Sequence, residues 1–203
     1  MVCDIASERA SEPRERSAPA QRRARERVGE SEGRSPSGKT MTLDDLNASS
    51  RESFVAALGS IVEDSPWAAE RAWRHRPFAS LEALHQAMMT EVSASSRDEQ
   101  LALLRAHPDL GTRARMTAAS AGEQAGAGLD RLTPSEFDRL RELNAAYREK
   151  FGFPFLFAVK RSTKHDVLAA LAARLPAAVD EEFAEALRQV SRLAWFRLQD
   201  VVT

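Results

Sequence analysis

Phe153-Pro154-Phe155-Leu156-Phe157-Ala158-Val159 decides the fold of this chain, because it is the only run of its 203 residues that reads as strand. One strand alone has no edge to pair with. Pro154 removes an amide from it, and Gly152 just ahead interrupts any helix. The reading is therefore all-α: a single-domain bundle of several helices, with the Phe151-Gly152-Phe153-Pro154-Phe155 stretch and its continuation to Val159 extended.

Outward from that stretch the pattern is helical on both sides. Phe137, Leu140, Asn144 and Tyr147 recur at helical spacing up to Gly152, a glycine stop. Leu168 to Leu175 predicts a second helix, closed by Pro176. Phe183, Leu187, Val190, Ala194, Arg197 and Val201 lie near one face of the last. Upstream, Phe54, Leu58, Ile61 and Val62 form one apolar stripe, and Leu81, Leu84, Met88 and Val92 another. Helix starts are marked by Ser49 with Glu52, Ser96 with Glu99, Ser120 with Glu123 and Thr133 with Glu136. In each pair the first residue caps an amide and the acid reaches back. Pro66 and Pro134 suit the first helical position, where a missing N–H costs nothing.

With 43% hydrophobic residues the chain suits one ordinary domain. Its 29 basic and 30 acidic residues leave a formal net charge of −1, so no global field favours nucleic acid or an anionic membrane. No run approaches the ~20 apolar residues that span a bilayer. The single cysteine, Cys3, cannot form an internal disulfide, and a reducing, cytoplasmic setting is expected. Residues 1–40 hold Ser, Arg, Glu, Ala and Pro with almost no large apolar side chain, and read as a disordered tail. The basic run from Gln21 to Arg27 reads as solvated, and interspersed glutamates argue against a transit peptide. Residues 41–203 are the folded domain, and Met41 offers an alternative start. The Val201-Val202-Thr203 end is not a peroxisomal address.

Four features could carry chemistry. His107 precedes Pro108, which disfavours the α region and ends a helix there. The imidazole then sits at a helix C-terminus, whose negative end favours its charged form. It reads either as a proton donor or as a plain cap. Glu123 reads locally as the acid of a capping box. Phe151 to Val159 reads as core, except that Gly-Phe-Pro leaves backbone groups without regular partners, which an amide-rich heterocycle could supply. Arg197, on the apolar face of the last helix, needs a partner, either a structural carboxylate or a ligand. Lys160 and Arg161 are further cations beside the Phe-rich run. His75, His85 and His165 read as surface or packing residues. No His-Glu-x-x-His, cysteine pair or calcium loop is present, and no Gly-x-Gly-x-x-Gly, Walker loop or Gly-x-Ser-x-Gly elbow. No metal or cofactor is therefore indicated.

His107-Pro108-Asp109-Leu110-Gly111, Ser120-Ala121-Gly122-Glu123-Gln124 with Ala127-Gly128-Leu129, and Phe151 to Phe155 occur in that order. With Ser65-Pro66-Trp67, Arg76-Pro77-Phe78, Asn144, Tyr147 and Arg197-Leu198-Gln199-Asp200, they resemble the 2-oxo-4-hydroxy-4-carboxy-5-ureidoimidazoline (OHCU) decarboxylases. The likeness runs over residues 43–201. It implies cofactor-free loss of CO2 from a small urate-derived substrate, giving (S)-allantoin. The histidine of the His-Pro-Asp-Leu motif, His107, is implied as proton donor, with Glu123 and Arg197 also catalytic. Pro108, Ser120, Gln124, Phe155, Leu156, Phe157, Ala158 and Val159 are implied as substrate contacts. Similar proteins are homodimers, and association with hydroxyisourate hydrolase stays open. Two rivals remain: a non-catalytic helical binding module, and the same fold acting on a related ureido or hydantoin compound.

Overall fold

The computed structural model describes residues 41–111 and 118–203. The expectations of a disordered tail and a solvated basic run fall on residues 1–40 and so lie outside the described residues. Among the described residues there is helix and connection without a named strand. The helices are α1 (Leu43–Ala48), α2 (Arg51–Leu58), α3 (Trp67–Ala72), α4 (Leu81–Ala94) and α5 (Arg97–Ala106). They continue with α6 (Ala118–Gly126), α7 (Pro134–Phe151), α8 (Lys164–Arg174) and α9 (Val179–Val201). The protein is all-α, as its sequence predicts.

Local side-chain chemistry sets most of the helix starts. Ser96 and Thr133 cap α5 and α7, with Glu99 and Glu136 reaching back, and Pro134 takes the first position of α7. Thr42 with Asp45 and Thr163 with Asp166 form the same box with the shorter acid. Neither carries the glutamate of the usual signature, so α1 goes unseen in the sequence and α8 begins at Lys164 rather than Leu168. At α2 the expected cap is off by one. Ser50 accepts from the Ser53 amide, while Ser49 closes α1 by donating its hydroxyl to the Leu46 carbonyl at 2.7 Å. The Ser120–Glu123 box does not form as an N-terminal cap, since Ser120 already lies inside α6. Pro66 stands just before the first residue of α3, already in helical backbone geometry.

Helix α9 is the axis of the bundle and touches α4, α5 and α7. One of its faces buries Phe183, Ala186, Val190, Ala194 and Leu198, at the three- and four-residue spacing of an amphipathic helix. The same face buries three polar side chains, Glu182, Gln189 and Arg197. The α7 stripe starts at Leu140 rather than Phe137, which sits on the first turn and is 43% exposed. Gly152 ends α7 with φ 76°, the left-handed conformation that glycine adopts without a Cβ penalty.

Residues 154–159 belong to neither helix nor paired strand. What holds them is an aromatic cluster on α7 and α9. Tyr147 packs its ring at 4.5 Å from Phe151 and edge-on at 5.2 Å from Phe155, while Phe153 meets Phe183 edge-on. Such pairs contribute roughly 0.5–1.5 kcal/mol each beyond area burial. The chain's two described ends also meet, through an isolated parallel bridge between Met41 and Val202.

Candidate active site

The site begins where α5 stops. His107 is the C-cap of that helix, its backbone turned to the extended region as Pro108 requires. Its Nδ1 lies 2.9 Å from the Leu103 carbonyl oxygen. A carbonyl can only accept, so the ring carries its hydrogen on Nδ1 and a lone pair on Nε2. The side chain is buried, and burial pushes its pKa below the usual 6.5 against the pull of the Leu103 bond and of Glu63. The expectation that a helix C-terminus favours the charged ring is thus reversed: desolvation outweighs the dipole.

The turn after His107 is tied on both sides. Asn144 Nδ2, from α7, donates to the Leu110 carbonyl at 2.9 Å, and the Gly111 amide donates to Gln124 Oε1, from α6, at 2.8 Å. Gly111 has φ 73°, and a Cβ there would lie 2.3 Å from Leu140 Cδ2. Only glycine fits this close approach.

Arg197 reaches the site from α9 and is 5% exposed. Its Nε and Nη2 bind the two oxygens of Glu123 at 2.9 and 3.1 Å. Nη2 also donates to Ser120 Oγ at 3.0 Å, and Nη1 to Glu63 Oε2 at 2.9 Å and the Ile61 carbonyl at 3.3 Å. Those contacts occupy all five donors of a guanidinium. Burial alone would lower its proton affinity, but Glu123 and Glu63 raise it, so the group is a fixed cation. Of the two readings open for Arg197, the structural pairing is what the geometry contains. A ligand carboxylate would have to displace a protein partner.

Glu63 is the residue that sequence reasoning missed. It lies in the turn between α2 and α3, is 3% exposed, and accepts from both Arg197 and Ser120 Oγ, the latter at 2.8 Å. The signal was there: an acid directly after Ile61 and Val62, two core residues, must find a cation. Glu63 and Glu123 both pull the pKa of the His107 imidazole upward, while Arg197 pulls it down.

One pocket brings the predicted residues together. Its wall contains His107, Pro108, Ser120, Glu123, Gln124 and Arg197 together with Phe155, Leu156, Phe157 and Val159, with Leu110 and Leu193 added. Ala158 is not in the wall; its amide donates to Gln189 Oε1 at 2.9 Å. The Leu156 carbonyl likewise accepts from Arg174. Two backbone groups expected to await a ligand are therefore met by side chains. Lys160 pairs with Asp200 outside the pocket, and Arg161 is exposed. His75 bonds Glu91, His85 bonds the Ser191 carbonyl, and His165 is exposed, all apart from the pocket. Among the described residues no group of three or more His, Cys, Asp or Glu is placed to hold a metal.

Fold and site together define a class: an all-α protein with a buried imidazole and a carboxylate–guanidinium cluster in the wall of one pocket. More narrowly, the chain belongs to the OHCU decarboxylase family, whose model matches residues 47–199. It is 45% identical over 161 residues to the 2-oxo-4-hydroxy-4-carboxy-5-ureidoimidazoline decarboxylase of Halalkalicoccus jeotgali, covering 79% of this chain and 92% of that one. It is also 45% identical over 162 residues to a Bacillus subtilis protein named uric acid degradation bifunctional protein, covering 80% of this chain and 33% of the relative. The crystal structure of (S)-allantoin synthase matches with a TM-score of 0.65 at 36% identity, over 80% of this chain. This chain spans 54% of that structure's chain.

Proposed function

We propose that this protein is a carboxy-lyase that converts OHCU to (S)-allantoin in urate degradation, without a cofactor. Family membership supports the reaction. The observation that carries the mechanism is His107, neutral and buried, with Nδ1 tied to Leu103 and Nε2 left to exchange a proton.

In the substrate one ring carbon bears both the carboxylate and a hydroxyl, and its neighbour is doubly bonded to nitrogen. When the carbon–carboxylate bond breaks, its electron pair forms a double bond between the two ring carbons. The former C=N pair settles on nitrogen, which takes up one proton, and CO2 leaves. The resulting enol then gives up its hydroxyl proton while the ureido-bearing carbon gains one. His107 Nε2 collects the first of these protons and delivers the second, and delivery from one face sets the S configuration. Glu63 and Glu123 stabilise the transient imidazolium, and Arg197 fixes both carboxylates by electrostatics. Ser120, Gln124 and the wall formed by Phe155, Leu156, Phe157 and Val159 hold the ring, while Ala158 supports that wall through its backbone bond to Gln189.

The reading extends to a homodimer in the cytoplasm, on the strength of the proteins the chain resembles and of its single cysteine. Residues 41–203 are taken as sufficient for activity. Among the described residues no helix is long and apolar enough to cross a membrane. The Bacillus subtilis relative is named a bifunctional protein of uric acid degradation, which supports functional association with another enzyme of that degradation; the partner proposed is the hydroxyisourate hydrolase that makes the substrate.

The test generates the substrate in situ from urate with urate oxidase and hydroxyisourate hydrolase, and tracks the circular dichroism of allantoin. Rapid formation of the S enantiomer, lost in a folded His107→Gln variant, is expected. Slow racemic allantoin at the spontaneous rate, from well-folded protein, overturns the reading.

A further inference from the structure

Helix α8 carries a half-buried arginine and α9 carries buried polar side chains that the proton chemistry does not use, and they converge on the wall of the pocket. Arg174 Nε donates to both oxygens of Glu182, at 3.0 and 3.2 Å, and its Nη2 donates to Glu182 as well. Its Nη1 donates to the Leu156 carbonyl at 2.8 Å. The same guanidinium lies over Phe155, its central carbon 4.6 Å from the ring centre. Glu182 is 2% exposed and also accepts from the hydroxyl of Tyr147, which reaches across from α7. Beyond Phe157, Gln189 Oε1 accepts from the Ala158 amide, and Glu185 accepts from Gln189 Nε2 at 2.6 Å, which decides the way that amide faces.

Residues 154–159 have no strand partner, so no backbone ladder fixes them. A wall built this way is only as rigid as the side chains that grip it. The grip falls on both sides of Phe157, at Leu156 and at Ala158. It demands a group that can bind a carboxylate by two atoms, reach a carbonyl with a third and cover an aromatic face, which arginine does and lysine does not.

We infer that Arg174 is a positioning residue: locked by Glu182 and Tyr147, it works with Gln189 to hold Leu156 to Ala158 as the fixed wall of the substrate pocket. The inference rests on the proposed OHCU decarboxylase reading for its kinetics, but not for its effect on the backbone. A wall that grips the ring equally in the ground and transition states affects KM rather than kcat.

The experiment compares the full chain with Arg174→Lys, which keeps the charge opposite Glu182. The expected result is a KM raised about tenfold or more, with kcat within about threefold. Hydrogen exchange at the Ala158 amide should quicken by about tenfold or more. Tyr147→Phe removes one hydroxyl and keeps the ring; should the lysine variant fold poorly, it should shift both readouts the same way by about threefold. Wild-type KM together with wild-type exchange at Ala158 in a folded variant overturns the inference. If the parent protein lacks decarboxylase activity, the functional reading falls by itself. Faster exchange at Ala158 in Arg174→Lys then still supports the positioning role, and unchanged exchange overturns it.

Discussion

Nδ1 of His107 and the carbonyl oxygen of Leu103 are 2.9 Å apart, one helical turn from each other. That bond fixes the tautomer of the one histidine in the pocket wall. The helix supplies only an acceptor there, so the neutral ring carries its hydrogen on Nδ1, and burial favours that neutral form. In the proposed cycle the ring is an acid only after it has served as a base.

Activity should therefore depend on pH. Protonating His107 removes the lone pair that the proposed cycle needs, so kcat/KM should fall on the acid side, with a midpoint below 6.5, the usual histidine value from which burial lowers it. Above that value the profile should be level. A histidine that starts as the charged donor gives the opposite slope, with activity declining as pH rises.

The same burial links to stability. A histidine whose pKa is lower folded than unfolded leaves the unfolded state binding more protons. Its stability contribution is complete above about 6.5 and is lost as pH falls toward the lowered folded value. Melting temperatures of wild type and His107→Gln should therefore converge as pH drops from 7 toward 5. Parallel curves contradict the burial argument.

Glu63→Ala removes one of the two carboxylates on Arg197. Breaking a buried pair costs about 3–5 kcal/mol, and the low end is expected because Glu123 still neutralises the guanidinium. Urea unfolding measures it. Activity should fall by about a hundredfold as Ser120 and Arg197 lose their common acceptor.

Arg197→Lys offers three donors on a flexible stem where five are used. The bidentate contact with Glu123 cannot survive alongside the bonds to Glu63 and Ser120. We expect kcat/KM to fall by at least about a hundredfold in steady-state assays, with the secondary structure intact by far-UV circular dichroism.

Gly111→Ala tests the turn that carries His107. The left-handed backbone costs roughly 1–2 kcal/mol, and displacing the buried Leu140 side chain adds about 1–3 kcal/mol. A urea midpoint close to that of wild type shows that the turn can shift without cost.

Much of this could be read without coordinates wherever the determining contact is local. Ser96–Glu99 and Thr133–Glu136 stand three residues apart, and Gly152 acts on its own helix end, so each is legible from a few letters. Ser120 and Glu123 have that spacing too, yet Glu123 turns to Arg197, 74 positions away. A guanidinium in a buried site binds a carboxylate more strongly than a helix-end amide does. The pocket residues were legible as motifs, but Glu63, 134 positions from Arg197, carried only the oddity of an acid after two core residues.

The sequence by itself determined most of the helices, their order and the all-α class, because apolar periodicity and caps act within a few residues. It also determined which residue types the pocket contains. Only the tertiary structure decided their states. The charge of His107, the saturation of Arg197 by Glu63 and Glu123, and the hold of Arg174 and Gln189 on the pocket wall depend on burial and on partners distant in the chain. Desolvation and hydrogen bonding act through space, and no local pattern of letters records which groups the fold will bring within 3 Å.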